Sequence, residues 1–520
     1  MNSAFRAGQV GVAGLSLGAF STTFDLIQSV KSGLSVWERF SNLDNDVDFF
    51  KTQLLLQKDI LDSWLRDWYG QPAHRVSMGK LRILRTHDNT IQSTLRSVQS
   101  ELSKLEPMHI LGKDRGQATA GERMKWTAGQ KHNAESTLAK VEALLRGLYM
   151  ILPLQSPHPE ASILALLLQN GPPILTRMAN ELLGEGESLP LIERTIELCR
   201  LRQKLDEDLD KRIAEFKSSI PGRNLSNASI PTDLLVEEGA AGSRSWGKRD
   251  GKPVMVEWKN YQLSQGQRAI LLRGRNDNLA RMLHATPKPD EMVTLQCIGY
   301  FDDVQHKRYG FVFASPAVEG EEMVSLNRLL NKPPPEELPS LEQRYQVAYS
   351  LGMTLWILLS IDWLHKGIRS HNVLFVSRGH DICWTRPYLC GFAYSRPDKP
   401  DEISEKLEHS ERFNVYRHPL AQGQPQESYR KTFDIYNFGV ILFEIGTWAT
   451  AFPLWNHDAA AFRRELCKPS NQKRIAHRMG VDYRDAMIKC LDGSFESQET
   501  SVSKAFFVEV VEVLRRQLLE

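Results

Sequence analysis

The chain has 520 residues, a formal net charge of only +2 and no long run of one sign, which excludes a nucleic-acid binder held by a broad basic face. Apolar and charged fractions of 41% and 25% are those of a globular protein long enough for about two to four domains. Six cysteines, none before Cys199 and none in a CxxC pair, exclude a disulfide framework and a zinc site and point to reducing, cytoplasmic surroundings.

The first segment, Ala7 to Phe24, carries no charge, and its apolar residues include Val10, Val12, Leu15, Leu17 and Phe20. It is short and rich in Gly and Ser, whereas a constitutive membrane span needs about 20 predominantly apolar residues. Three readings stay open: a packed core helix, a segment that enters a membrane only under some conditions, and a signal peptide following Arg6. Apolar residues then recur at helix spacing. They fall at Val47, Phe50, Leu54, Leu61 and Leu65, then from Ile91 to Leu105, from Ala134 to Leu152 and from Leu189 to Phe216. The spacing predicts an all-α helical bundle over residues 1–217, with a polar, glycine-containing loop from Gly112 to Gly129. Residues 218–246 are rich in Gly, Ser, Asn and Pro and read as a linker.

Residues 247–520 alternate differently. Strands are predicted over Pro253–Tyr261, in CIGYFDD and in KRYGFVFAS, with a helix over QGQRAILLRGRNDNLARMLH between the first two. A long apolar helix from Tyr345 to Leu364, short strands Val373–Val376 and Tyr388–Cys390, and a mostly helical remainder complete an α+β arrangement. His365, His371, His380 and Cys383 have spacings that fit no standard metal site, so no metal is predicted. Cys383 and Cys390 read as buried thiols.

The stretch WLHKGIRSHNVLF, Trp363–Phe375, has the outline of a catalytic loop: His365-Lys-Gly367, then Asn372 after the four residues that separate the aspartate and asparagine of H-R-D-x-x-x-x-N. Lys259 closes a strand upstream, Gly391-Phe392-Ala393 follows Tyr388-Leu-Cys390, and Asp434-Ile-Tyr-Asn-Phe-Gly439 opens a helix. In these residues the chain resembles the protein kinase fold, over roughly Gly247 to Leu519. The resemblance implies a two-lobed α+β domain, with His365, Phe392, Asp434 and Gly439 as framework residues. Phosphoryl transfer in that family needs a lysine on the nucleotide phosphates, an aspartate that accepts the substrate proton, and an asparagine and an aspartate on magnesium. Here the two aspartate positions are Gly367 and Gly391, no G-x-G-x-x-G precedes Lys259, and the nearest acid on the following helix is Asp277. No catalytic residue is therefore expected, and the resemblance implies a pseudokinase. Lys259 and Asn372 are the residues that would contact ATP without magnesium; for Lys259 a solvated residue at a strand end is the competing reading. Ser395, Ser404, Ser410 and Tyr416 fall in the stretch matching an activation segment, as modification sites or as ordinary loop residues.

The opening AGQVGVAGLSLGAFSTTFDLIQSVKSG with the later LQKDILDSWLRDWYG resembles the HeLo domain of fungal prion-inhibition and propagation proteins. That resemblance implies regulated, membrane-permeabilising cell death of the fungal incompatibility kind, with self-association, protein partners and membrane lipid as contacts, and recruitment from the cytoplasm to a membrane. An atypical ATP-binding kinase and a non-enzymatic protein-binding scaffold are the alternatives, and neither involves nucleic acid.

Overall fold

The apolar spacing of the first third of the chain generates amphipathic helices, and their faces meet in one core. The computed structural model describes residues 17–39, 45–69, 78–105, 128–152, 190–218, 234–236, 244–261, 267–285, 288–331, 338–398, 411–422, 428–497 and 502–518. The chain divides into two compact units, Met1–Ile192 and Glu193–Glu520.

The first unit holds helices α1 (Leu17–Ser35), α2 (Asn45–Tyr69), α3 (Met78–Ser103) and α4 (Ala128–Ile151). Ile27, Val30, Leu54, Trp64, Leu95 and Leu145 are fully or almost fully buried in a shared core. Burial of each such side chain contributes about 1.5–3 kcal/mol. Polar side chains tie α1 to its neighbours. Buried Thr23 donates to Asp88 at 2.6 Å and accepts from Gln92 at 3.0 Å, Gln99 donates to Ser29 at 2.8 Å, and Lys31 pairs with Asp62 at 2.5 Å. Leu17 and Phe20 lie at the start of α1, whereas Val10, Val12 and Leu15 lie outside the described residues. Most of the loop expected over Gly112–Gly129 lies outside them too. No helix among the described residues is long and apolar enough to cross a membrane.

The second unit is α+β. It opens with α5 (Pro190–Ser218), which the sequence reading assigns to the bundle. Leu198, Leu205 and Leu209 give this helix a buried stripe. Leu209 sits where Gly274 has no side chain, and Leu205 accepts a hydrogen bond from buried Asn278 at 3.0 Å. Arg194 pairs with Asp290 at 2.8 Å, and Arg202 with Asp206 at 3.2 Å. The compact division thus falls at Ile192, ahead of residue 217, because the partners of this stripe are on the later helix.

An antiparallel sheet follows in the order β1-β2-β3-β5-β4, with β1 (Leu234–Val236), β2 (Arg244–Arg249), β3 (Lys252–Asn260), β4 (Cys297–Asp303) and β5 (Arg308–Ala314). The stretch 218–246 therefore contains β1 and the start of β2 and is not linker throughout. Helix α6 (Gln267–His284) packs against β4. A second antiparallel sheet runs β10-β8-β6, with β9 (Asp381–Ile382) on β8. Its members are β6 (Glu322–Ser325), β8 (Val373–Arg378) and β10 (Tyr388–Leu389). Short helix α7 (Leu326–Asn331) continues β6.

Helix α8 (Leu341–Ser360) starts at a reciprocal cap between Ser340 and Gln343. It ends four residues earlier than its hydrophobicity predicts. Asp362 takes the left-handed conformation, φ 53°, and Trp363–Leu364 becomes strand β7, paired with β11 (Arg396–Pro397). After one-turn α9 (Glu411–Asn414) comes α10 (Lys431–Thr447), buried on all sides from Thr432 onward. A helix apolar around its whole circumference belongs at the centre of a domain. Around it lie α11 (Ala459–Leu466), α12 (Pro469–Met479), α13 (Val481–Leu491) and α14 (Val502–Phe506), the last continuing through a wider turn into α15 (Glu512–Arg516).

Gly439 makes the approach of α10 and α13 possible: a Cβ there would lie 2.8 Å from Cys490 Cβ and 2.9 Å from Leu491 Cγ. Gly439→Val is expected to destabilise the protein by about 1–3 kcal/mol through overpacking, read as a lowered urea midpoint at unchanged slope. A midpoint equal to that of the wild type would refute the close approach.

Candidate functional site

Every framework residue expected from the sequence lies in the second unit, and one of them, the buried carboxylate of Asp434, holds the backbone at His365. Asp434, in the first turn of α10, has no exposed surface. It accepts the backbone N–H of His365 at 2.7 Å, that of Lys366 at 2.9 Å and the Tyr429 hydroxyl at 2.7 Å. Burial nevertheless pushes its carboxyl up to about 6, the three donors offsetting only part of the desolvation. Lys366 adopts φ 64°, and its bonded amide helps hold that conformation, which costs about 1–2 kcal/mol for a side chain with a Cβ. His365 is fully buried and packs on the Phe392 ring at 4.3 Å between centroids. Burial, with Arg369 and Arg244 nearby, lowers its imidazole to about 3, so it is neutral; its Nδ1 accepts the Gly367 N–H at 3.1 Å. His365 is thus a packing residue of the loop.

The two glycines meet across the loop. Asn372 Nδ2 donates to the Gly367 carbonyl at 2.6 Å. A Cβ on Gly391, whose φ is +88°, would overlap the Asn372 amide, and a Cβ on Gly367 would lie 2.8 Å from the Gly391 oxygen. A side chain at either position would require these neighbours to move. The remaining contacts come from β2 and β3. Glu257, 3% exposed, accepts the amides of Gly391 at 2.7 Å and Phe392 at 3.2 Å. Arg244 donates to Glu257 at 2.9 Å, to the His371 carbonyl at 2.8 Å and to Asn372 Oδ1 at 2.5 Å.

Lys259 lies on β3 and is 4% exposed, so it is not a solvated strand-end residue. Its ammonium donates to Asn276 Oδ1 of α6 at 3.2 Å and sits 5.9 Å from the centre of the Tyr394 ring. Asp277 instead pairs with Arg281 on its own helix at 3.2 Å. The helix therefore presents an amide to this lysine, because side chains one residue apart point to different faces.

Of the four hydroxyls considered as modification sites, Ser404 and Ser410 lie outside the described residues. The other two are buried. Ser395 donates to the Phe392 carbonyl at 2.7 Å. The Tyr416 hydroxyl lies 2.7 Å from Ser370 Oγ and donates to Glu444 at 2.9 Å. Glu444 is fully buried in α10, also accepts the Ala451 amide at 2.9 Å, and has its carboxyl pushed up to about 7 by burial. Cys390 is buried as expected, but Cys383 is exposed, since it follows the two-residue edge strand β9. Among the described residues no group of His, Cys, Asp and Glu could hold a metal ion.

Sequence reasoning missed Arg244, Glu257, Asn276 and Glu444. Two had a signal: Glu257 interrupts the apolar run VMVEW and Glu444 the run GVILFEIG, and a charge in such a run is buried and paired or costs several kcal/mol. Arg244 and Asn276 had none. No family model matches the chain, and the search of curated proteins found no match.

Two outcomes follow from this packing. Gly391→Asp is expected to destabilise the protein by about 2–4 kcal/mol, through the positive φ and the collision with Asn372, and to confer no magnesium-dependent rise in melting temperature; such a rise would contradict the packing. Glu444 has its folded pKa raised, so the native state binds the extra proton. Its contribution is fully present below the ordinary carboxylate pKa and is lost as pH rises through about 7. The stability of the wild type relative to Glu444→Gln should therefore fall by on the order of 3 kcal/mol between pH 4 and pH 8, measured by urea denaturation at each pH. A constant difference would place Glu444 in a polar environment.

Proposed function

We propose that the chain is a signalling or regulated cell-death effector, in which a catalytically silent, two-lobed kinase-like unit controls a HeLo-like helical bundle that acts on membranes. The observation that carries the silent half is the occupied space at Gly367 and Gly391. In a phosphotransferase of this outline, those positions hold the proton acceptor and a magnesium ligand. Here they lack the carboxylates, and a side chain at either position would require the Asn372 side chain or the Gly391 backbone to shift. The residues present do not fit a magnesium ion: Asn372 is bonded to Arg244 and the Gly367 carbonyl, and Glu257 to Arg244 and two backbone amides. Asp434, by contrast, keeps its structural role, binding the loop by two amides.

The membrane half of the reading rests on the HeLo-like opening and on the way α1 is held. Thr23, Ser29 and Lys31 link it to α2 and α3 by side-chain contacts, beside the buried apolar face of Ile27, Val30 and Leu34 that a release of α1 would expose. In this reading self-association or a protein partner favours the released state, as any such switch requires differential binding to one of its states.

Dye release from anionic vesicles tests the reading. Residues 1–192 should cause leakage, the full chain should not, and Leu17→Asp with Phe20→Asp should abolish it. Silence from the short chain at every protein concentration would overturn the membrane half. Incubation of the full chain with labelled ATP and manganese or magnesium should transfer no phosphate; transfer that Lys259→Met abolishes would overturn the silent half.

A further inference from the structure

We infer that Arg244 is the resident cation of the loop site: its guanidinium occupies a divalent-cation position and closes the site to metal. Three oxygens of three different residues surround this one group, each accepting from a different nitrogen, Nε, Nη1 and Nη2. They are Glu257 Oε1 at 2.9 Å, the His371 carbonyl at 2.8 Å and Asn372 Oδ1 at 2.5 Å. A carboxylate, a backbone carbonyl and a side-chain amide oxygen form the hard donor set that magnesium, calcium and manganese take. A guanidinium meets such acceptors through its planar fork and, unlike a metal ion, cannot dissociate.

Electrostatics agrees with the geometry. The Glu257 carboxylate is 3% exposed and the Arg244 side chain 16% exposed. A carboxylate this buried requires a counter-charge, and Arg244 is the cation bonded to it. The same guanidinium spans separate parts of the unit, since it comes from β2, Glu257 from β3, and His371 and Asn372 from the turn before β8. It therefore joins the five-stranded sheet to the loop. Gly391 completes the exchange: where an acidic side chain would bring a metal its second charge, the Asn372 amide fills the space.

The inference deepens the proposed silent-kinase reading, and rests on it only for the expectation that a divalent cation would be sought here. Its test reads metal binding, so it can fail while the transfer and leakage results stand, and the reverse. The full-length wild type, Arg244→Ala and Arg244→Ala/Asn372→Ala are compared with manganese chloride alone, by thermal shift and by manganese electron paramagnetic resonance. The wild type should not respond. Arg244→Ala should melt lower without metal and gain a manganese-dependent rise of about 2–4 °C, with a bound-manganese signal, and the added Asn372→Ala should remove both. A folded Arg244→Ala protein that ignores manganese would overturn the inference, as would manganese bound by the wild type. Arg244→Ala/Glu257→Gln removes the uncompensated carboxylate as well and should recover part of the lost melting temperature without binding manganese. Failure of Arg244→Ala and of Arg244→Ala/Glu257→Gln to fold would also overturn the inference, by showing that the side chain does more than supply a counter-charge.

Discussion

A carboxylate with no access to water must find donors, and in the second unit that requirement sets the geometry. Asp434 finds two backbone amides and a tyrosine hydroxyl, and in doing so holds the loop at His365 and Lys366. Glu257 applies the same rule to the amides of Gly391 and Phe392, and Glu444 to the amide of Ala451. All three acids are bound as acceptors by groups that do not leave. A carboxylate spent in this way is not available to take a substrate proton, and removing one would strand buried N–H groups at about 1–3 kcal/mol each.

Cations are used as sparingly. Arg244 and Lys259 are both held to amide oxygens, of Asn372 and Asn276. The guanidinium joins elements remote in sequence, and the ammonium ties β3 to α6. Buried charge here works as connection between elements. The first unit does the same with weaker parts: hydroxyls, amides and one Lys–Asp pair hold α1, each worth about 0.5–1.5 kcal/mol net.

The sequence made the elements legible and the contacts only in part. Helix spacing placed α2 and α4 closely because each has one apolar face, but it found only the second half of α3, which begins at Met78 and not near Ile91; apolar β4 and β5 were bounded by turns on both sides. The end of α8 was misread because Ile361, Trp363 and Leu364 are as apolar as the helix itself, and only the left-handed Asp362 ends it. The membership of α5 depends on Gly274, a hole on another element, which one-dimensional periodicity does not record. The motif residues His365, Asn372, Gly391 and Asp434 are gathered in one place, since their spacing reflects backbone geometry. Arg244 and Asn276 had no such mark, because an Arg in a Gly/Ser stretch and an Asn on a polar helix face look ordinary until the chain is folded.

The anchoring of backbone amides by buried acids has a consequence for the exchange of hydrogen with solvent. The amides of His365, Lys366, Gly391 and Phe392 lie outside the long helices and the main ladders, where amides ordinarily exchange through small local openings. Here each donates to a carboxylate that is 3% exposed or less. Releasing any of them takes a donor from a buried acid, so these irregular stretches are expected to exchange more slowly than their lack of regular structure suggests. By the clock of amide exchange, the loop leans toward the core.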